Sequence, residues 1–167
     1  GPFKARGADV SVLHDLMIHD LDLLLWLTQS QIADFSVRGV SFVSKTTDAA
    51  DAQFLMKNGV QAHISVSRVS PVAQRSVQAL SSRFTLSANI ATHELEKIER
   101  GSDVEPLKVK KWHVEKQDAL LTETKAFVDC VLKNQRPIVS GEDGLIALEW
   151  IEKLQKKIEE GPWTQSS

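Results

Sequence analysis

Four side chains able to do chemistry or to stack recur at intervals of three or four in residues 9–28, DVSVLHDLMIHDLDLLLWLT: Asp15, His19, Asp22 and Trp26. At about 100° of turn per residue these positions fall within roughly 60° of one another around a helix axis, so they share a face. Histidine changes protonation state near neutral pH and can take a proton from a hydroxyl. A carboxylate one turn earlier can hold the imidazole in the orientation that a general base needs. Most of the remaining residues are apolar, and burying a charged group among leucines is costly unless the group is paired or used. Spacing alone leaves two readings of Asp15 and His19, a general base with its orienting carboxylate or a satisfied polar pair at an interdomain seam, with Asp22 as a structural acceptor and Trp26 as core.

The elements that must position this pair follow from periodicity and turn chemistry. The first helix spans residues 10–28 and closes on the polar triplet Thr28, Gln29 and Ser30. Alternation then predicts strands at 32–43 and 50–56, a hairpin turn at Lys57, Asn58 and Gly59, and a return strand at 60–69. Further strands are expected at 75–80, 83–90, 93–98 and 108–114, giving an antiparallel meander of five to seven strands. Residues 117–133 carry Leu120, Leu121, Phe127, Val128, Val131 and Leu132 at helical spacing, ended by Asn134 and Pro137. Ser140 caps a last helix that runs to Gly161 and Pro162. Helix, strands, then helices implies an α+β fold, an open antiparallel sheet with helices packed on one face. The other face is left available for oligomerisation, as a dimer or tetramer.

Composition narrows the function classes. With 167 residues, 42% of them hydrophobic, the chain can bury one sizeable core, and residues 1–167 are expected to form one domain. Twenty Lys and Arg against 22 Asp and Glu leave a net charge of −2, with no basic stripe for a nucleic-acid backbone. The apolar run LDLLLWL falls far short of the ~20 residues that span a bilayer. One cysteine, Cys130, allows no internal disulfide, and a cytoplasmic location is expected. His14 and His19 lie five residues apart, about 140° around a helix, so they cannot share a metal from one face, and no metal is expected.

The phrases DVSVLHDLMIHDLDLLLWL, AHISVSRVS and PIVSGEDGLIALEWIEKL together resemble the C-terminal domain of the Gfo/Idh/MocA oxidoreductase family, over nearly the whole chain. The wording DLMIHDLDL resembles that of family members acting on nucleotide sugars. The family motif Asp-x-x-x-His-x-x-Asp falls on Asp15, His19 and Asp22. The resemblance implies an NAD(P)-dependent dehydrogenase that oxidises a hydroxyl of a sugar or nucleotide sugar. His19 would take the hydroxyl proton as hydride leaves the same carbon for NAD or NADP, and Asp15 would position hydroxyl and imidazole. Hydride loss from a neutral alcohol creates a protonated carbonyl, which a base within hydrogen-bond reach avoids. Arg68 and Arg75 are candidates to meet a substrate diphosphate through paired N–H donors.

The family's dinucleotide-binding half has no counterpart here. The glycines, at 1, 7, 39, 59, 101, 141, 144 and 161, never form G-x-G-x-x-G, and no Glu-Lys-Pro segment is present. The chain is therefore expected to be the substrate-binding and oligomerising C-terminal domain of a longer protein, inactive alone, with the cofactor held mainly by the missing N-terminal Rossmann domain. Two rivals from other classes stand beside this reading. One is a dimerisation or binding module that keeps the fold without redox chemistry, and the other a His/Asp metal hydrolase built on HDLMIHD.

Overall fold

The segment rich in leucine does fold as a helix, but not as one uniform helix. In the computed structural model, which describes residues 1–3, 7 and 9–161, a π-helical turn at Leu13–Met17 leads into α1, Ile18–Thr28. Helix α1 ends where Gln29 takes a left-handed conformation and returns its N–H to the Leu25 carbonyl. Seven strands follow: β1 Ile32–Val40, β2 Ala49–Met56, β3 Gln61–Ser67, β4 Ser76–Leu80, β5 Phe84–Asn89, β6 Glu94–Arg100 and β7 Leu107–His113. Two helices close the chain, α2 Ala119–Lys133 and α3 Gly141–Glu159. This is the α+β fold that the sequence implies, all its strand pairs antiparallel.

The strands form two sheets, β1-β2-β3 and β4-β5-β6-β7, where a single meander is expected from alternation. The break falls between Ser67 and Ser76, a connection that contains Pro71, whose nitrogen has no hydrogen to give a ladder. The chain correspondingly divides into two compact units, Gly1–Val72 with Ile138–Ser167, and Ala73–Pro137.

Every buried side chain among the described residues belongs to the first unit. Its core joins Val12, Leu13, Met17 and Leu21 to Ala50, Ala52, Phe54 and Met56 of β2, Ile64 and Val66 of β3, and Ile151, Leu154 and Ile158 of α3. Strict alternation in β2 and β3 sends these residues to one face, which α1 and α3 cover, and Asp51, Gln53, His63 and Ser65 to the other. Phe35 of β1 meets Trp150 of α3 edge to face, ring centroids 5.5 Å apart. Gly59 sits at φ 86°, the left-handed geometry that lets the Asn58-Gly59 hairpin join β2 to β3. Helix α3 starts on a capping box: Ser140 accepts from the Asp143 N–H while the Asp143 carboxylate takes the Ser140 N–H.

The second unit holds β4–β7 and α2. None of its residues is buried, and the apolar side chains of α2, expected to face a core, are exposed, Leu120 at 73% and Leu132 at 78%. The helix itself obeys its end signals, with Asp118 accepting from the Leu121 N–H and Asn134 left-handed at the far end. Strand 32–43 is shorter than expected because the chain turns after Val40, and His93, expected within a strand, sits in a turn at φ 59°. Pro162, the expected stop of the last helix, lies outside the described residues.

Candidate functional site

Leu13, Met17 and Leu21 recur every four residues and are fully buried, so the opposite side of the same helix faces outward. Asp15 and His19 lie on that outward side and are exposed; Asp22 is half-buried and Trp26 is 50% exposed. The expectation that the pair is embedded among leucines, and Trp26 with it, is corrected here: the leucines that are sealed are those on the far side. Among the described residues neither the Asp15 nor the His19 side chain makes a hydrogen bond or ion pair, and none joins them to each other. Their functional groups are presented to whatever approaches this face.

The turn that carries Asp15 is unusual. The Ile18 N–H donates to the Leu13 carbonyl five residues back, the signature of a π-helical turn, an irregularity often found at functional sites. The chain entering it is pinned at several points. The Leu13 N–H donates to Ser11 Oγ at 3.2 Å, and the Val12 N–H to the Thr47 carbonyl at 2.9 Å. The Thr46 hydroxyl donates to the Val10 carbonyl at 3.3 Å. Next to Asp15, His14 turns the other way and pairs with Glu152 of α3, Nε2 to Oε1 at 2.8 Å.

Arg68, expected to meet a substrate phosphate, is instead 8% exposed and committed to the fold. Its Nη1 donates to the Gly7 carbonyl at 2.8 Å and its Nη2 to the Val10 carbonyl, and its Nε lies 3.7 Å from Asp48 Oδ1. With Nη1 and Nη2 spent on carbonyls and Nε buried beside Asp48 without a hydrogen bond, the side chain has no accessible fork left for a diphosphate. Arg75 is exposed and belongs to the other unit, where its carbonyl accepts the Ile90 N–H.

Asp48 was not singled out by sequence reasoning, yet among the described residues it is the most enclosed charge, with no exposed surface. Its Oδ2 accepts the N–H groups of Phe42, Val43 and Ser44 at 2.7, 2.6 and 2.8 Å, and its Oδ1 accepts the Ser44 hydroxyl at 2.6 Å. Burial pushes this carboxyl toward the neutral form, but the Ser44 hydroxyl and the three backbone donors outweigh it and hold the pKa at about 2. The available signal was Ser44 four residues before an Asp in a short polar stretch between two strands, the pattern of a side chain that organises its own loop.

His63 pairs with Asp51 at 2.9 Å on the outer sheet face. Among the described residues no group of three or more His, Cys, Asp and Glu side chains could hold a metal ion, and no helix is long and apolar enough to cross a membrane. Among the described residues the glycines in the left-handed conformation are Gly7 and Gly59, far apart in sequence.

With this geometry in place, likeness to known proteins gives it a context. Residues 3–87 match the family model described as the GFO/IDH/MocA C-terminal domain. The curated UDP-N-acetylglucosamine 3-dehydrogenase of Acidithiobacillus ferrooxidans is 31% identical over 147 residues, covering 86% of this chain and 47% of the relative. A solved structure of that enzyme superposes with a TM-score of 0.90 at 28% identity, covering 99% of this chain and 54% of the other. The chain thus spans about half the length of the relatives it matches. A super-repressor mutant of Gal80p from Saccharomyces cerevisiae shares the fold, with a TM-score of 0.76 at 13% identity over 100% of this chain and 55% of that one.

Proposed function

The chain belongs to the GFO/IDH/MocA C-terminal domain family, and from that premise we propose that it is the substrate-binding part of a nicotinamide-dependent oxidoreductase acting on a hydroxyl of a sugar or nucleotide sugar. The observation that carries the reading is the outward stripe: a histidine and a carboxylate held on a helix whose opposite side is locked into the core. Neutral His19 takes the proton of the substrate hydroxyl. Asp15 orients hydroxyl and imidazole. The carbon bearing that hydroxyl becomes a carbonyl as its hydride leaves, and NAD or NADP, when bound, accepts that hydride. The alcohol is thereby oxidised, the nicotinamide reduced, and one proton released through His19.

In this proposal the residues of the chain handle the proton and the sugar, and the cofactor is held mainly by a dinucleotide-binding domain outside it. UDP-N-acetylglucosamine is the proposed substrate because the relative with 31% identity is named for it. A homo-oligomer formed through an open sheet face belongs to the same proposal.

The test uses the full-length protein with UDP-N-acetylglucosamine and NAD+ or NADP+, following reduced nicotinamide. His19→Ala is expected to lower kcat by about 10²- to 10⁴-fold. An unchanged kcat in that variant refutes the role given to His19, and no turnover by the unmodified protein refutes the substrate.

A further inference from the structure

We infer that the buried Asp48–Arg68 pair is the positioning element of the reactive turn, fixing the π-helical register that sets Asp15 relative to His19. The inference rests on the reading of these two residues as the proton-handling pair. Three anchored positions, Gly7, Val10 and Val12, precede Leu13. Arg68 holds the Gly7 and Val10 carbonyls through Nη1 and Nη2. The loop that Asp48 organises supplies the other contacts, the Thr46 hydroxyl on the Val10 carbonyl and the Thr47 carbonyl on the Val12 N–H. Arg68 and Asp48 are themselves joined twice, by Nε facing Oδ1 at 3.7 Å and by the Arg68 N–H on the Asp48 carbonyl at 3.0 Å.

A π-helical turn contains one residue more than an α-turn, and such a departure persists where its surroundings over-determine it. Release of the anchors lets the segment rewind to the α pattern. A shift by one residue then carries Asp15 about 100° around the helix axis relative to His19. Arg68 and Asp48 touch no substrate in this account; they act through the turn.

The variants are made in the full-length protein and assayed with UDP-N-acetylglucosamine and NAD+ or NADP+. Arg68→Lys, which keeps the charge but loses the fork, is expected to lower kcat by about 10- to 100-fold, with KM for the sugar nucleotide changed by no more than about twofold. Hydrogen exchange of the amides of residues 13–18 should accelerate in the same variant. Ile158→Val, in the core near the far end of α3, is the control for plain destabilisation and should leave kcat unchanged at a comparable loss of melting temperature. If both variants lower kcat alike, the pair is only structural and the inference falls. Full kcat in Arg68→Lys with His19→Ala inactive overturns this inference alone, whereas an active His19→Ala overturns the reading beneath it. Should Arg68→Lys fail to fold, Thr46→Val repeats the comparison at smaller amplitude: a threefold or greater loss of kcat, on the order expected for slight misplacement, supports the role, and no loss refutes it.

Discussion

Lowering the pH should destabilise the first unit through one identifiable carboxylate. Asp48 has an ordinary value of 3.8 and is held at about 2 in the fold by the Ser44 hydroxyl and the backbone donors of residues 42–44, against the opposing effect of burial. A depressed folded-state value means that the native state binds fewer protons than the unfolded one. Its stabilisation is thus complete above about pH 4 and is lost as pH falls through about 2. The difference is worth about 2 kcal/mol, a conversion that applies here because the side chain has no exposed surface. Asp48→Asn removes the titration along with the charge. At neutral pH it should cost about 3 kcal/mol, because the Arg68 guanidinium is left buried opposite an amide. Urea unfolding at pH 6, 4 and 2, followed by fluorescence of Trp150 in the same unit, checks both statements. The gap between the unmodified protein and the variant should narrow by about 2 kcal/mol on acidification. Two stability profiles that run parallel over this range would show that Asp48 is not the group responsible.

Gly39 of β1 has no room for a side chain: an added Cβ would lie 2.7 Å from Ile158 Cδ1 and 2.8 Å from Thr47 Cγ2. Gly39→Ala should therefore cost about 1–3 kcal/mol in denaturant titration, and Ile158→Val in the same chain should recover part of it. Ser140→Ala removes the cap of α3 and should cost about 1 kcal/mol, read as a lowered midpoint with an unchanged slope.

How much was legible in advance depends on how local each signal is. Every strand and helix expected from alternation, end signals or Asn-Gly chemistry is present, because those features act over two to five residues. The division into two sheets is a matter of which strands pair, a non-local outcome that alternation does not encode. Helix α2 shows the same limit from the other side: its 3.6-residue pattern is read correctly, but periodicity says only which face is apolar, not what covers it. Arg68 and Asp48 were misread or missed because a buried ion pair twenty residues apart in sequence looks like two ordinary surface charges until the strands are registered.

The reactive stripe itself carries the sharpest lesson in how such a site is made. A helix with leucines nearly all round does not announce its inward side; Leu13, Met17 and Leu21 win that place, and Asp15 and His19 are thereby turned out. Burial is then not what keeps the pair in order in this chain, since exposed side chains are free to sample rotamers. Order must come from the backbone beneath them. The π-helical turn, the Ser11 bond to the Leu13 N–H and the Asp48–Arg68 hub supply it from the core side, without occupying the outward face. An arrangement of this kind leaves both functional groups accessible to a substrate while fixing their spacing from below, which is what a general base and its orienting carboxylate require.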